Sequence, residues 1–296
     1  MRILQKGAVT FQPLKIFKII INKLNHDFAL SHVNNFPQLV IFSFDHIGLS
    51  INLEGRYENE SLSLVENYIK DHLLDSKDSV AMDIGANIGN HSLALSKYFR
   101  KVYSFEPNPI TYDVLTINSK YAAAKKNIVP FNFGLSDEDG ELPFLINTTN
   151  IGGSCILPND HNNDEQQQRI IVQVKTADSV DSLREEKISL IKIDVEGHEI
   201  NALRGAESII KSNKPTILFE QGIDEIKEGG SEVIDYLSSL DYSFYTIEKR
   251  FYFGESFIFK LVGLAFRSIF GYQLSFVKTD VFKKRFYEMI LAIPKY

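Results

Sequence analysis

Apolar residues recur with two different periods along this chain. In residues 60–74, Leu62, Val65, Ile69 and Leu73 fall three or four positions apart, which places them on one face of a helix. From residue 79 onward, short apolar runs alternate with helical patterns. Strands are predicted over residues 79–84, 101–105, 127–133, 189–193, 215–220 and 242–247. Helices are predicted over residues 90–99, 109–120, 198–211 and 230–240, with Pro109 at a first-turn position that tolerates it. Such alternation predicts a parallel sheet covered by helices, with ligands at the carboxyl ends of the strands. Residues 288–293 read as a closing strand inserted antiparallel. Residues 38–44 and 46–53 alternate well enough to be two strands, a small β cap ahead of the main sheet. Residues 141–146 and 170–174 read as a β pair carrying a polar excursion over 147–169, a length typical of functional or disordered loops. Its departure near the third strand marks it as an acceptor-side lid.

These patterns divide the chain into an N-terminal basic helix and β cap, residues 1–56, and an α/β domain, residues 57–296, with insertions at 147–169 and 251–285. The hydrophobic share, 44%, is ample for a core. A net charge of −6 argues against nucleic acid as a partner. The single cysteine, Cys155, excludes an intrachain disulfide framework and a cysteine-based zinc site, and fits a reducing, cytoplasmic setting. The N-terminus breaks the acidic trend, with Arg2, Lys6, Lys15, Lys18 and Lys23 ahead of the first acidic residue, Asp27. Lysines interrupt its apolar run, so neither a secretory signal nor a membrane span fits. Two readings stand. One is a basic amphipathic helix on anionic lipid, a membrane-peripheral contact. The other, favoured because such patterns are common on soluble surfaces, is a helix packed on the catalytic domain. Residues 257–277 are also apolar, but Lys260 and Arg267 disfavour a span, and a buried helical insertion is expected.

Candidate chemistry sharpens this picture. A short apolar run, Val80 to Met82, leads through Asp83 into a tight turn containing Gly85, Asn87 and Gly89, and a helix begins at Asn90. Glycines let the backbone turn where no Cβ is tolerated, and helix amides then point at a ligand. Glu106 ends the second strand, where a carboxylate accepts both hydroxyls of a ribose, about 20 residues past the glycine turn. The middle glycine that admits a pyrophosphate is missing, and Asp83 is poor for phosphate but good for a cation. A nucleoside with a ribose, a positive charge and no phosphate points to S-adenosylmethionine.

A second constellation, Asp194, Glu196, His198 and Glu199, falls at the end of the fourth strand of the alternation and the start of its helix. An acceptor hydroxyl must lose its proton as it is methylated, and His198 is the leading base candidate. Asp194 and Glu196 are placed to steady the cation, orient His198 or share the base role. The structural alternative is that Asp194 caps the helix and that Glu196 and Glu199 favour its positive end; for Glu199, expected to face solvent, that reading is preferred. A divalent metal on Asp194, Glu196 and His198 is the lesser reading, and no metal is expected. Ser136 and Asp137 follow the third strand, where an acid can bond an adenine amino group or simply make a turn. Glu220 ends the fifth strand and can face the acceptor, Asp178 reads as a cap for the helix through Leu183, and His91 as a packing or hydrogen-bonding residue.

Together these segments resemble the FkbM family of S-adenosylmethionine-dependent methyltransferases. The resemblance lies in residues 83–90, 104–109, 134–137, 191–199, 203–206 and 215–220, and covers about residues 57–248. It implies a Rossmann-like class I methyltransferase fold, with a seven-stranded, mostly parallel sheet and helices on both faces. It also implies O-methylation of a hydroxyl on a sugar, glycan or secondary metabolite. Gly85, Asn87, Gly89 and Glu106 match the family's cofactor positions, and Asp83 and Asn108, inside its motifs, join the cofactor candidates. Competing readings are a non-catalytic nucleoside-fold protein, disfavoured by the intact turn and Glu106, and an NAD-dependent oxidoreductase, disfavoured by the missing glycine and Asp83. The oligomeric state is not legible.

Overall fold

The computed structural model describes residues 13–156, 167–227, 229–250 and 271–295. Three helices come first, α1 (Lys15–His32), α2 (His46–Glu54) and α3 (Asn59–His72). The alternating part then runs β1 (Val80–Ile84), α4 (Asn90–Ser96), β2 (Lys101–Phe105), α5 (Pro109–Tyr121) and β3 (Ile128–Phe131). Short strands β4 (Gly134–Leu135), β5 (Gly140–Asn147), β6 (Cys155–Ile156) and β7 (Gln167–Lys175) follow. The chain continues through β8 (Ile188–Ile193), α6 (Glu199–Arg204), α7 (Glu207–Asn213), β9 (Thr216–Gln221), α8 (Glu232–Ser239), β10 (Tyr242–Arg250), β11 (Gln273–Lys278) and β12 (Tyr287–Pro294).

Among the described residues the main sheet has eight strands, in the order β11-β10-β12-β9-β8-β1-β2-β3. Strands β9, β8, β1, β2 and β3 are parallel, and β12 enters antiparallel between β9 and β10 as the sequence predicts. The fold is the class I methyltransferase type, with one strand more than expected. The extra strand is β11, which pairs antiparallel with β10 at the edge. It occupies part of the segment expected to be a buried helix; residues 257–270 of that expectation lie outside the described residues. A smaller sheet, β4-β7-β5-β6, contains the predicted β pair, with Glu141 opposite Gln173.

Strand alternation sorts the core onto two faces. Val80, Met82, Ile84, Ile191 and Ile193 pack with Leu203, Ile210 and Leu237 of the α6–α8 side. Ala81, Val102, Leu190 and Leu218 pack with Val65 and Ile69 of α3 and Leu93 of α4. On this second face the apolar residues give way, toward the carboxyl ends of the strands, to Asp83, Ser104, Lys192 and Glu220.

Two expectations are corrected by local capping. Residues 46–53 form α2, not a strand of a β cap, and residues 38–42 form no strand. The Asp45 carboxylate accepts the Ile47 amide at 3.2 Å, and Gly55, left-handed at φ +85°, closes the other end. Residues 198–211, expected as one helix, are α6 and α7, broken at Gly205. A Cβ there would lie 1.8 Å from the Ser136 carbonyl oxygen, and the Gly205 carbonyl accepts the Asp178 amide. Asp178 does cap a helix, but it caps α7, accepting the amides of Ser208 (2.9 Å) and Ile209 (3.1 Å).

Among the described residues, the N-terminal helix makes its main packing contact with α2. It lies beside α2 near its carboxyl end, where His32 Nε2 meets the Leu53 carbonyl at 2.7 Å, and no residue of α1 is buried. No described helix is long and apolar enough to cross a membrane.

Candidate active site

The order of the parallel strands reverses direction between β1 and β8, and the crevice opens at the carboxyl ends there. Its volume is about 330 Å³. Gly85, Asn87, Glu106 and Asn108 line one part, and Asp194, Glu196, Glu220 and Tyr57 line another. His46 and Ile47 of α2, with Ile151 and Gly152 of the predicted lid, line it as well. The Asp45 carboxylate, which caps α2, also accepts the Gly152 amide at 3.3 Å, so α2 and the lid are tied together. The remainder of the lid, residues 157–166, lies outside the described residues.

Gly85, Asn87, Glu106 and Asn108 come together at one end of the crevice. Gly85 has φ +76°, and a Cβ there would come 1.8 Å from the Asp194 carbonyl oxygen, so β1 and β8 approach too closely for any other residue. Asn87 also has positive φ, +50°, and its amide donates to Glu106 Oε2 at 2.9 Å. The Asn108 amide donates to Glu106 Oε1 at 2.9 Å, while its side chain caps α5. Both Glu106 oxygens are thereby aimed, and each retains a lone pair. Burial pushes the Glu106 carboxyl up to about 7, against the pull of those two amides.

Four cofactor candidates stand elsewhere. Asp83 is fully buried on the α4 face of β1, accepts Ser92 Oγ on Oδ2 at 2.5 Å, and does not line the crevice. Its cationic partner is Lys192, its register neighbour on β8, at 3.6 Å. Strand parity explains the correction, since residues 81 and 83 share the face that α4 covers. Gly89 does not line the crevice either; its φ of +92° and the Leu115 side chain, 2.8 Å from a notional Cβ, give it a turn and packing role. Ser136 and Asp137 bond His198 and Asn201 rather than lining the crevice.

His198 stands apart from Asp194 and Glu196. Its Nε2 lies 2.9 Å from Ser136 Oγ, it is outside the crevice lining, and burial lowers its pKa against the pull of Asp137. Its position at the start of α6 turns it toward β4, away from Asp194 and Glu196. Glu199 is corrected as well. It is buried, not solvent-facing, and its Oε1 accepts the amides of Val195 (3.1 Å) and Gly197 (3.2 Å). That clamp holds the turn in which Glu196 (φ +53°) and Gly197 (φ +96°) are both left-handed. Glu196 thus projects at the crevice mouth from a strained backbone.

Carboxylate oxygens of Asp194, Glu196 and Glu220 lie within 4.8 Å of one another, a spacing suited to a hydroxyl-rich ligand or a hard cation; His198 is not among them. Burial, followed by the charges of Asp194 and Glu225, pushes Glu196 up to about 7. Glu220 is raised by burial and then by Asp194, Glu196 and Glu58. Lys192, nearly inaccessible, bonds Asp194 Oδ2 (3.2 Å) and the Gly85 carbonyl (3.3 Å). Burial opposes its charge, but Asp194 and Asp83 outweigh that and hold it above the ordinary lysine range.

Sequence reasoning missed Tyr57, Glu58 and Lys192. Lys192 had a signal, a charge inside an otherwise apolar parallel strand, two residues from Asp194 and therefore on its face. Tyr57 and Glu58 had none. They precede α3, where Glu58 is left-handed at φ +52° and meets His91 Nε2 at 3.0 Å. Asn90 holds Tyr57 by both its amide and carbonyl, at 3.1 Å each. Burial, then Glu58, Asp194 and Glu220, raises the Tyr57 hydroxyl above the ordinary phenol range.

The fold is that of class I methyltransferases, with the crevice where that fold binds its ligand. Residues 83–244, more than half of the chain, match the family described as "Methyltransferase FkbM domain", and the chain belongs to this family. Over 149 residues it is 32% identical to the hexuronic acid methyltransferase AglP of Haloferax volcanii, a match covering 50% of this chain and 59% of AglP, less than two thirds of that protein. It is 29% identical over 180 residues to the methyltransferase sdnD of Sordaria araneosa, covering 50% of this chain and 70% of sdnD. A solved FkbM methyltransferase from Methylobacillus flagellatus KT is similar at 19% identity, covering 79% of this chain and 56% of that one, with a TM-score of 0.41. The cofactor is S-adenosylmethionine, and the residues present fit it. The side-chain-free cradle at Gly85, the aimed Glu106 carboxylate and the acidic lining suit a ribose and a cationic group.

Proposed function

We propose that this protein is an O-methyltransferase that uses S-adenosylmethionine to methylate a hydroxyl of a sugar or glycan. The observation that carries the reading is one crevice with two chemistries, Glu106 and the Gly85 cradle in one part and the carboxylates Asp194, Glu196 and Glu220 in another. Clustered carboxylates bond sugar hydroxyls well. The name of AglP, a hexuronic acid methyltransferase, supports a sugar acceptor.

The cofactor, when bound, supplies an electrophilic methyl group. Gly85, Asn87, Glu106 and Asn108 hold the nucleoside, and Glu106 takes its ribose hydroxyls. Asp194, Glu196 and Glu220 orient the acceptor, and Glu196 receives the hydroxyl proton on its carboxylate. A carboxyl near 7 is matched to that task at neutral pH. Alignment of the two reactants contributes most of the acceleration, of order 7–11 kcal/mol.

The test is incubation of the purified chain with S-adenosylmethionine and a panel of neutral and uronic acid glycans, followed by mass spectrometry. The expected product gains one CH₂ and keeps it through mild base, as an ether does. A base-labile methyl group would make the product an ester and overturn the hydroxyl assignment.

A further inference from the structure

Helix α1 presents an apolar face that no described residue covers. Phe17, Ile20, Ile21, Leu24 and Phe28 recur at spacings of three and four and are each 47–59% exposed. Ile16, Ile19 and Leu30 add further exposed apolar surface. Patches of this kind mark interaction sites in soluble proteins. The charges choose the partner. The helix carries Lys15, Lys18 and Lys23, and its one acid, Asp27, is already paired with Lys23 at 2.7 Å. On a chain of net charge −6, five basic residues and no acidic one precede Asp27.

We propose that α1 is a peripheral membrane-docking helix, seating its apolar face among the acyl chains of an anionic bilayer with its lysines at the headgroups. Two apposed α1 helices would bring like-charged helices together with no free acid to offset Lys15 and Lys18, so a second copy is the poorer occupant. Lysine stems instead extend along apolar surface and place their charges at a lipid interface. The adjacent α2 exposes Leu49 and Leu53 and contributes His46 and Ile47 to the crevice, so docking brings the crevice wall near the bilayer. The inference stands independently of the methyl-transfer reading.

The test is co-sedimentation of the full chain with phosphatidylcholine vesicles, with and without phosphatidylglycerol, at low and high salt. Anionic vesicles are expected to bind it about thirtyfold more tightly than neutral ones at low salt, the factor that the net charge of two lysines near such a surface supplies. High salt should remove most of that preference. Because Phe17 and Leu24 are exposed, a Phe17→Asp/Leu24→Asp variant should keep its circular dichroism and lose vesicle binding. Absence of binding to anionic vesicles, or equal binding by the variant, overturns the proposal. So does a wild-type dimer in sedimentation velocity that the variant abolishes, because the face would then belong to a second copy.

Discussion

The Glu106 carboxyl links cofactor affinity to pH. Its folded-state value of about 7, against about 4.5 ordinarily, means that the cofactor-free crevice keeps a proton there through the weakly acidic range. The sign follows from linkage. The stability contribution of this group is full below the ordinary carboxylate value and is lost as pH rises through about 7, so the free protein weakens across that window. Binding acts in the other direction, because a carboxylate that accepts two hydroxyls beside a cationic ligand must be ionised. With the carboxyl at about 7, roughly nine in ten molecules carry the proton at pH 6 and one in ten at pH 8. Affinity for S-adenosylmethionine should therefore rise about tenfold between those values, or about 1.4 kcal/mol. Isothermal titration in two buffers of different ionisation enthalpy counts the proton released. In Glu106→Gln, an NH₂ group faces the Asn87 or Asn108 amide, and one charge-assisted bond is lost. Affinity should fall by about tenfold to hundredfold, and the pH slope should shrink. A slope that is absent in the wild type, or the same in the variant, would refute the assignment of Glu106 to the ribose.

Other outcomes test the remaining structure. Turnover should rise with pH through a midpoint near 7 as Glu196 ionises, and Glu196→Gln should remove that limb of the rate profile while leaving cofactor affinity within about threefold. His198→Asn should keep turnover within about threefold, since His198 lies outside the crevice lining; a hundredfold loss would restore it as the base. Lys192→Met should cost about 3–5 kcal/mol in urea unfolding, because it leaves Asp83 buried without its cation. Gly205→Ala should destabilise by about 1–3 kcal/mol on collision with the Ser136 carbonyl, opposite in sign to the helix-propensity expectation, and thermal unfolding reads that sign directly.

The sequence disclosed most where one local rule determined the outcome. Parallel strands buried on both faces read as apolar runs, so β1, β2, β8 and β9 were legible within a residue or two, and even the antiparallel insertion of β12 could be read. The Gly85 turn and Glu106 were legible because strand ends in this topology have a fixed chemical use. The errors have different origins. Residues 46–54 satisfy both a period of two and a helical spacing, and the decision rested on caps at Asp45 and Gly55. The break at Gly205 depends on the Ser136 carbonyl, nearly seventy residues away. The Asp45 and Gly55 caps are local signals that the sequence does display, whereas the Gly205 contact leaves no trace in a local pattern.

The His198 error shows most clearly what motif spacing cannot supply. Asp194, Glu196 and His198 are consecutive alternate residues, and an extended strand would have put all three on one face. The strand, however, ends at Ile193, and positive φ at Glu196 and Gly197 turns the chain before His198 is reached. Asp194 and Glu196 stay with the crevice while His198 swings to Ser136. In the proposed mechanism the proton-accepting role rests instead with Glu196, beside Asp194 and the Glu220 that β9 brings in. Burial, followed by the charges of Asp194 and Glu225, brings Glu196 to about 7, the range a histidine would otherwise supply. In the proposed mechanism the acid–base capacity of the site thus comes from crowded carboxylates around one buried lysine. Removing a single acid from the cluster should shift the titration of the others downward, an effect that isotope-edited carboxyl NMR on Asp194→Asn can read at Glu196 and Glu220.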